Sequence, residues 1–102
     1  MAFLLFNEKN RTVGDVGVQS LCTSAIFNYQ VIGDGAEVEF SGSNVPLDVL
    51  QASNEDHWIP IVTITADVAD SEPFRQHAWN SIRYKVISGA TVGIFVSTGV
   101  SG

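Results

Sequence analysis

The amino-acid sequence predicts an all-β fold, namely an antiparallel β-sandwich or jelly roll of roughly seven or eight short strands, with a barrel as the remaining arrangement. Short segments of alternating apolar and polar residues recur along the chain, and turn-forming Gly, Asn and Ser residues separate them. The connections are too short for the crossover helices that parallel strands require. A chain of 102 residues has the size of one domain, so we expect residues 1–102 to share one core.

The most regular segment predicts a β-hairpin near the C-terminus. Its two apolar rows are Ile82, Tyr84 and Val86, then Val92, Ile94 and Val96. A three-residue loop, Ser88 to Ala90, would place both rows on one buried face, with Gly89 supplying a positive φ. The same register would set Arg83 opposite Phe95 on the outer face, as a cation–π pair.

Two further strands are predicted in the middle of the chain, Ser24 to Ile32 and Ala36 to Ser41, joined by a turn at Gly33-Asp34-Gly35. The second strand has the clearest alternation. It should bury Ala36, Val38 and Phe40, while Glu37 and Glu39 face water as solvated carboxylates.

The other elements have weaker patterns. We expect strands at Ala2 to Phe6, Thr12 to Val18, Leu47 to Ala52 and His57 to Thr65, and one helical turn from Ser71 to Phe74 capped by Ser71. Pro60 indicates that the His57 strand lies at a sheet edge or contains a bulge.

The composition limits the classes of function. Charged residues make up 16% of the chain against roughly 25% in an average soluble domain, so either small polar residues or neighbouring molecules should cover much of the surface. The formal net charge is −6 and no basic cluster is present, which argues against binding to nucleic acid or to an anionic membrane. The start of the chain lacks the basic region of a signal peptide. A lone Cys22 excludes an intrachain disulfide and fits a reducing cytoplasm.

No motif for catalysis stands out, so we expect neither an enzyme nor a cofactor. His57 and His77 are the only histidines, and neither has partners at metal-ligand spacing. Trp58 and Trp79 each lie at the start of a predicted strand, where large aromatic residues commonly close the end of a core. Exposed on a sheet, they would instead favour a carbohydrate-binding surface.

The order of motifs from Ala36 to Ser97 resembles small virion proteins of tailed bacteriophages. The similar segments are Ser53-Asn54-Glu55-Asp56-His57-Trp58-Ile59-Pro60-Ile61, Thr63-Ile64-Thr65, Trp79-Asn80-Ser81-Ile82-Arg83 and Ile87-Ser88-Gly89-Ala90-Thr91-Val92. This chain has Ala52 where the pattern has a glycine, and its N-terminal third is not matched. The resemblance implies a β-sandwich that serves as a head decoration or cement protein on the capsid exterior, assembled in the host cytoplasm.

The expected partners are the major capsid protein or another virion protein, and further copies of the chain as a dimer or trimer. The apolar start, within residues 1–11, is either an N-terminal arm or the first strand. The candidate partner-binding residues are Ala2, Phe3, Leu4, Leu5 and Phe6. The alternatives are a carbohydrate- or receptor-binding module of a tail or fibre, and a connector or tail component.

Overall fold

A computed structural model describes residues 2–20, 26–66, 71–76 and 79–99. The strands are β1 (Ala2–Arg11), β2 (Val16–Ser20), β3 (Ile26–Ser43), β4 (Ile59–Thr65), β5 (Ser71–Gln76) and β6 (Ser81–Gly99), with one 3₁₀ turn at Glu55–His57. Every strand pair is antiparallel, which confirms the all-β prediction. Among the described residues, no helix has the length and apolarity needed to cross a membrane.

A ribbon formed by β3 and β6 is the centre of the sheet. These two strands pair from Ile26 with Gly99 to Ser43 with Ser81. Both β1 and β2 pair with the other edge of β6, and both β4 and β5 pair with the other edge of β3. Every element of the sheet is therefore attached to this ribbon.

The ribbon bends near its middle, and the bend divides the sheet into two parts. We call β1, β5, residues 26–32 and residues 92–99 the first half-sheet. We call β2, β4, residues 36–43 and residues 81–88 the second half-sheet. Side chains from the two halves meet in one core: the rings of Tyr29 and Phe40 lie 4.5 Å apart, and those of Phe6 and Tyr84 lie 5.1 Å apart, edge to face.

The predicted hairpin is wrong, although its buried residues are correct. Both predicted apolar rows are buried, but they belong to the single strand β6 and lie in different half-sheets. Val86 pairs with Val38, not with Val92. A hairpin and a bent strand whose two halves face the same core give the same alternation, so the alternation alone cannot distinguish them.

Glycines make the bend. Gly89 has a φ of 112°, and a Cβ there would lie 2.6 Å from the Cα of Ala36. Gly33 has a φ of 145° on the facing strand. Both values suit glycine, and the close approach at Gly89 leaves no room for a side chain. The predicted turn at Gly33-Asp34-Gly35 is therefore a bend within β3, since the chain does not reverse there.

Three weaker predictions also require correction. Residues 47–49 form a turn and no strand, because the carbonyl of Pro46 accepts hydrogen bonds from the amides of Val49 and Leu50. Residues 71–76 form β5, so the predicted helical turn at Ser71 is wrong. The strand predicted from Thr12 to Val18 begins at Val16, after a turn, and continues to Ser20. By contrast, Pro60 does lie on the terminal strand β4, beside a register shift.

The ribbon predicts a specific cross-link. Asn28 and Ser97 are paired residues of β3 and β6. In a Cys22→Ser background, cysteines at both positions should form an intramolecular disulfide, because paired antiparallel residues lie within the Cα separation that a disulfide spans. Thiol titration with non-reducing electrophoresis measures this. Two free thiols under oxidising conditions would contradict the ribbon.

Candidate functional site: edge strand β1 and the Arg83 cluster

The candidate partner-binding residues lie in strand β1. Ala2, Phe3 and Leu4 pair with Gly99, Thr98 and Ser97. Leu4 is 52% exposed, whereas Phe6 is buried in the core against Tyr84. Residues 2–6 are therefore a first strand in this structure, and Met1 lies outside the described residues.

The two edges of the sheet differ in how they are protected from pairing. The edge made by β4 and β5 contains Pro60 and Pro73, which have no amide hydrogen to donate to a further strand. Strand β1 contains no proline, and its first charged residue is Glu8. A register shift between Leu4 and Phe6 is the irregularity within its apolar part. The outer side of β1 is therefore the edge better suited to accept another strand.

A second cluster forms on the outer face of the second half-sheet, around Arg83. This side chain is 1% exposed. Its Nη1 donates to Glu55 Oε2 at 2.6 Å and to the carbonyl of Ala52 at 2.8 Å, and its Nη2 donates to Glu55 Oε1 at 3.1 Å. The guanidinium carbon lies 5.0 Å from the ring centroid of Trp58. The predicted pair with Phe95 is therefore wrong, because Phe95 lies in the first half-sheet.

Glu39 belongs to the edge of this cluster, which corrects the expectation that it is only solvated. On β3 and β6, Glu39 pairs with Lys85 and Ser41 pairs with Arg83, so all four residues lie on one face. Glu39 Oε1 lies 3.7 Å from Arg83 Nη2, and Lys85 Nζ lies 3.7 Å from Glu55 Oε1. Two acidic and two basic side chains thus alternate across this surface.

The loop of residues 44–58, which we call the covering loop, is held over this face by its own hydrogen bonds. The Trp58 indole donates to the carbonyl of Gln51 at 3.1 Å, and the amide of Gln51 donates to His57 Nδ1 at 3.1 Å. The Asn54 side chain accepts from the amide of Asp56 at the start of the 3₁₀ turn. His57 therefore has a structural role in the covering loop. The turn of residues 47–49, which belongs to the covering loop, exposes Leu47 and Val49.

Charge and burial determine the protonation behaviour of the cluster. The hydrogen bond from Arg83 is the main cause that lowers the pKa of the Glu55 carboxyl below its ordinary value. Arg83 Nε is buried and has no hydrogen-bond partner, so the guanidinium depends strongly on its contacts to Glu55 and Ala52.

In the core, burial raises the pKa of the Tyr84 phenol. Its ring occupies the space left by Gly17, where a Cβ would meet a Tyr84 ring carbon.

The tryptophans are placed differently from one another. The Trp79 ring lies against Gly42, where a Cβ would be 2.4 Å from it, and packs against the core. Trp58 is buried outside that core, against the guanidinium of Arg83. Trp58 is therefore not available as an exposed platform for a sugar.

The described residues contain no group of three or more His, Cys, Asp or Glu side chains that could hold a metal ion. His77 and Cys22 lie outside the described residues. Sequence reasoning missed the Arg83 cluster, because Arg83 alternates with apolar residues and was expected on an open face. The only available signal was the combination of a Trp and several polar residues in the long segment before β4.

Comparison with known protein families, with curated proteins and with solved structures found no match.

Replacing Glu55 tests the cluster. Glu55→Gln should lower the free energy of unfolding by about 1 to 2 kcal/mol, because it leaves a buried guanidinium without its bidentate partner. Asp56→Asn is the matched control, since it removes the same charge from the same turn at an exposed position; it should change stability by less than about 0.5 kcal/mol. Urea denaturation of both variants checks this. Equal effects would show that Arg83 does not depend on Glu55.

The lowered pKa of Glu55 also predicts a pH dependence. In the unfolded chain Glu55 takes up a proton at a higher pH than in the folded chain, so the contribution of the ion pair is present above the ordinary pKa of about 4.3 and is lost as the pH falls through the folded-state pKa. The stability difference between wild type and Glu55→Gln should therefore shrink on acidification below that value. A difference that grows on acidification would contradict the assignment.

Proposed function

We propose that the chain is a non-enzymatic structural protein of a tailed-phage virion, a capsid decoration or cement protein that binds the head shell from outside. The resemblance of residues 36–97 to small virion proteins supports this identity. The low share of charged residues, 16% of the chain, supports a role in assembly, because contact surfaces are depleted in charged residues.

We infer that the strand order is that of a jelly roll. The pair β1 and β2, the two parts of β3, the pair β4 and β5, and the two parts of β6 each contribute one strand to each half-sheet. In both half-sheets the strand from β6 lies between those from the first pair and from β3, and the strand from β3 lies between those from β6 and from the pair β4 and β5. Jelly rolls occur in viral capsid and lectin domains, so the fold suits the proposed role without specifying it.

The observation that carries the proposal is the edge strand β1. Its apolar part has no proline, and Leu4 is exposed beside the outer backbone. An extended segment of a shell protein could add to this edge through backbone hydrogen bonds, with Leu4 contacting an alternate side chain. On a shell with many equivalent positions, an oligomer would engage several such segments at once, so weak contacts would give durable attachment and raise the heat resistance of the head.

Leu4→Lys tests this proposal, because a charge at an edge strand opposes strand addition while leaving the buried Phe6 in place. Ile59→Lys is the matched control: Ile59 is 53% exposed against 52% for Leu4, and it lies on the opposite edge strand. Heads assembled without this chain are mixed with each purified protein, sedimented and heated. We expect wild type and Ile59→Lys to co-sediment and to raise the temperature of DNA release, and Leu4→Lys to do neither.

Two other results would contradict the capsid proposal. Binding to purified tails in place of heads would indicate the connector or tail alternative. Binding of wild type to a host surface polysaccharide, without co-sedimentation with heads, would indicate the receptor-binding alternative.

A further inference from the structure

The hydrogen bonds of the covering loop converge on the backbone of Gln51. Its carbonyl accepts from the Trp58 indole at 3.1 Å and from the amide of Asn54 at 3.2 Å. Its amide donates to His57 Nδ1 at 3.1 Å. The contacts that tie the first part of the covering loop to the 3₁₀ turn and to Trp58 therefore meet at this one residue.

The contact with Gln51 requires one protonation state of the His57 imidazole. A backbone amide can only donate, so Nδ1 must accept and carries no hydrogen. The ring is then neutral, with its hydrogen on Nε2, which lies 3.3 Å from Asn54 Nδ2. The Asn54 oxygen already accepts from the amide of Asp56 at 3.1 Å. A second proton on the ring would therefore put a donor where Nδ1 now accepts, and it would bring no new acceptor to Nε2.

The charged groups near His57 are mostly paired with one another. Those of the 3₁₀ turn and of the sheet face beneath it are Glu55, Asp56, Glu39, Arg83 and Lys85. The Glu55 carboxylate accepts from Arg83 at 2.6 Å and lies 3.7 Å from Lys85 Nζ, and Glu39 lies 3.7 Å from Arg83 Nη2. Asp56 is exposed, where the attraction between charges is weak. The hydrogen bonds of the ring therefore decide which form of His57 fits the closed loop.

We propose that the covering loop is a pH-sensitive strap, which opens when His57 takes up a proton. Histidine is the side chain that ordinarily changes its charge between about pH 5 and pH 8. Protonation gives Nδ1 a hydrogen that faces the hydrogen of the Gln51 amide, so this contact is lost. The closed loop thus binds fewer protons than the open loop, and a fall in pH shifts the population toward the open one.

The opening involves residues 46–53, which are held mainly by polar contacts. None of residues 44–58, all of which the structure describes, belongs to the hydrophobic core, and segments with few buried apolar contacts open at a low free-energy cost. The 3₁₀ turn stays attached, because the hydrogen bond from Arg83 lowers the pKa of Glu55 and keeps its carboxylate ionised.

Opening releases two hydrogen-bond donors on the covered face. In the closed loop the carbonyl of Ala52 accepts from Arg83 Nη1 at 2.8 Å, and the carbonyl of Gln51 accepts from the Trp58 indole. Both side chains are buried, Arg83 at 1% and Trp58 at 4% exposure. Acid would therefore make a guanidinium and an indole N–H available to an acceptor of another molecule. The strap does not depend on the binding of heads through β1, so either proposal can fail alone.

His57→Asn tests the strap, because the Asn oxygen can accept from Gln51 near the position of Nδ1 but takes up no proton. His77→Asn is the matched control, since His77 is the other histidine of the chain. Hydrogen exchange followed by NMR gives the protection of each N–H relative to an unstructured peptide at the same pH. From about pH 8 to about pH 5.5, we expect protection of the Gln51 amide and the Trp58 indole to fall about tenfold in wild type and in His77→Asn, and to stay constant in His57→Asn.

Two further measurements on wild type make the test independent of how well His57→Asn folds. The amides of β3 and β6 should keep their protection, which distinguishes opening of the loop from unfolding. Nitrogen-15 spectra of labelled histidine should show that Nδ1 of His57 carries no hydrogen at about pH 8. The proposal is overturned if Nδ1 carries the hydrogen there, if protection of Gln51 and Trp58 is unchanged on acidification, if β3 and β6 lose protection together with the loop, or if His57→Asn responds as wild type does.

Discussion

The pairing of β3 with β6 is the constraint on which the rest of the structure depends. These strands provide most of the buried core residues, and every other strand pairs with one of them. The alternating apolar side chains of β3 and β6 can face one core from both half-sheets because the two strands bend at neighbouring positions. The bend lies near Gly33 on β3 and near Gly89 on β6. The core and the edge strand β1 are both positioned by this one ribbon.

The burial of individual side chains could be predicted from the sequence, but their partners could not. Alternation identified Phe40, Tyr84 and Ile94 as buried, and all of them are. Whether Ser88 to Thr91 reverses the chain or bends it depends on backbone contacts with Ala36, more than fifty residues away in the sequence, and local turn chemistry carries no information about such contacts.

For the candidate binding surfaces, too, the sequence predicted the residues but not their partners. The apolar start of the chain was recognised as a possible binding segment, but its role as an edge strand depends on pairing with residues 92–99. The sequence predicted that Arg83 lies on the outer face of the sheet. In the structure it does, but the covering loop buries it there. A buried ion pair between β6 and the 3₁₀ turn has no short-range signature, because its partners are 28 residues apart.

The long separation between β3 and β6 also affects how the protein can be made. On a ribosome, residues 26–43 emerge well before residues 81–99, and until the latter appear the central strand has no β6 to pair with. Its apolar residues, including Phe27 and Tyr29, are therefore synthesised before the chain can form its core. Formation of the ribbon requires closure of a large loop, which is a slow step, and the nascent chain is exposed to chaperones and to aggregation during that interval.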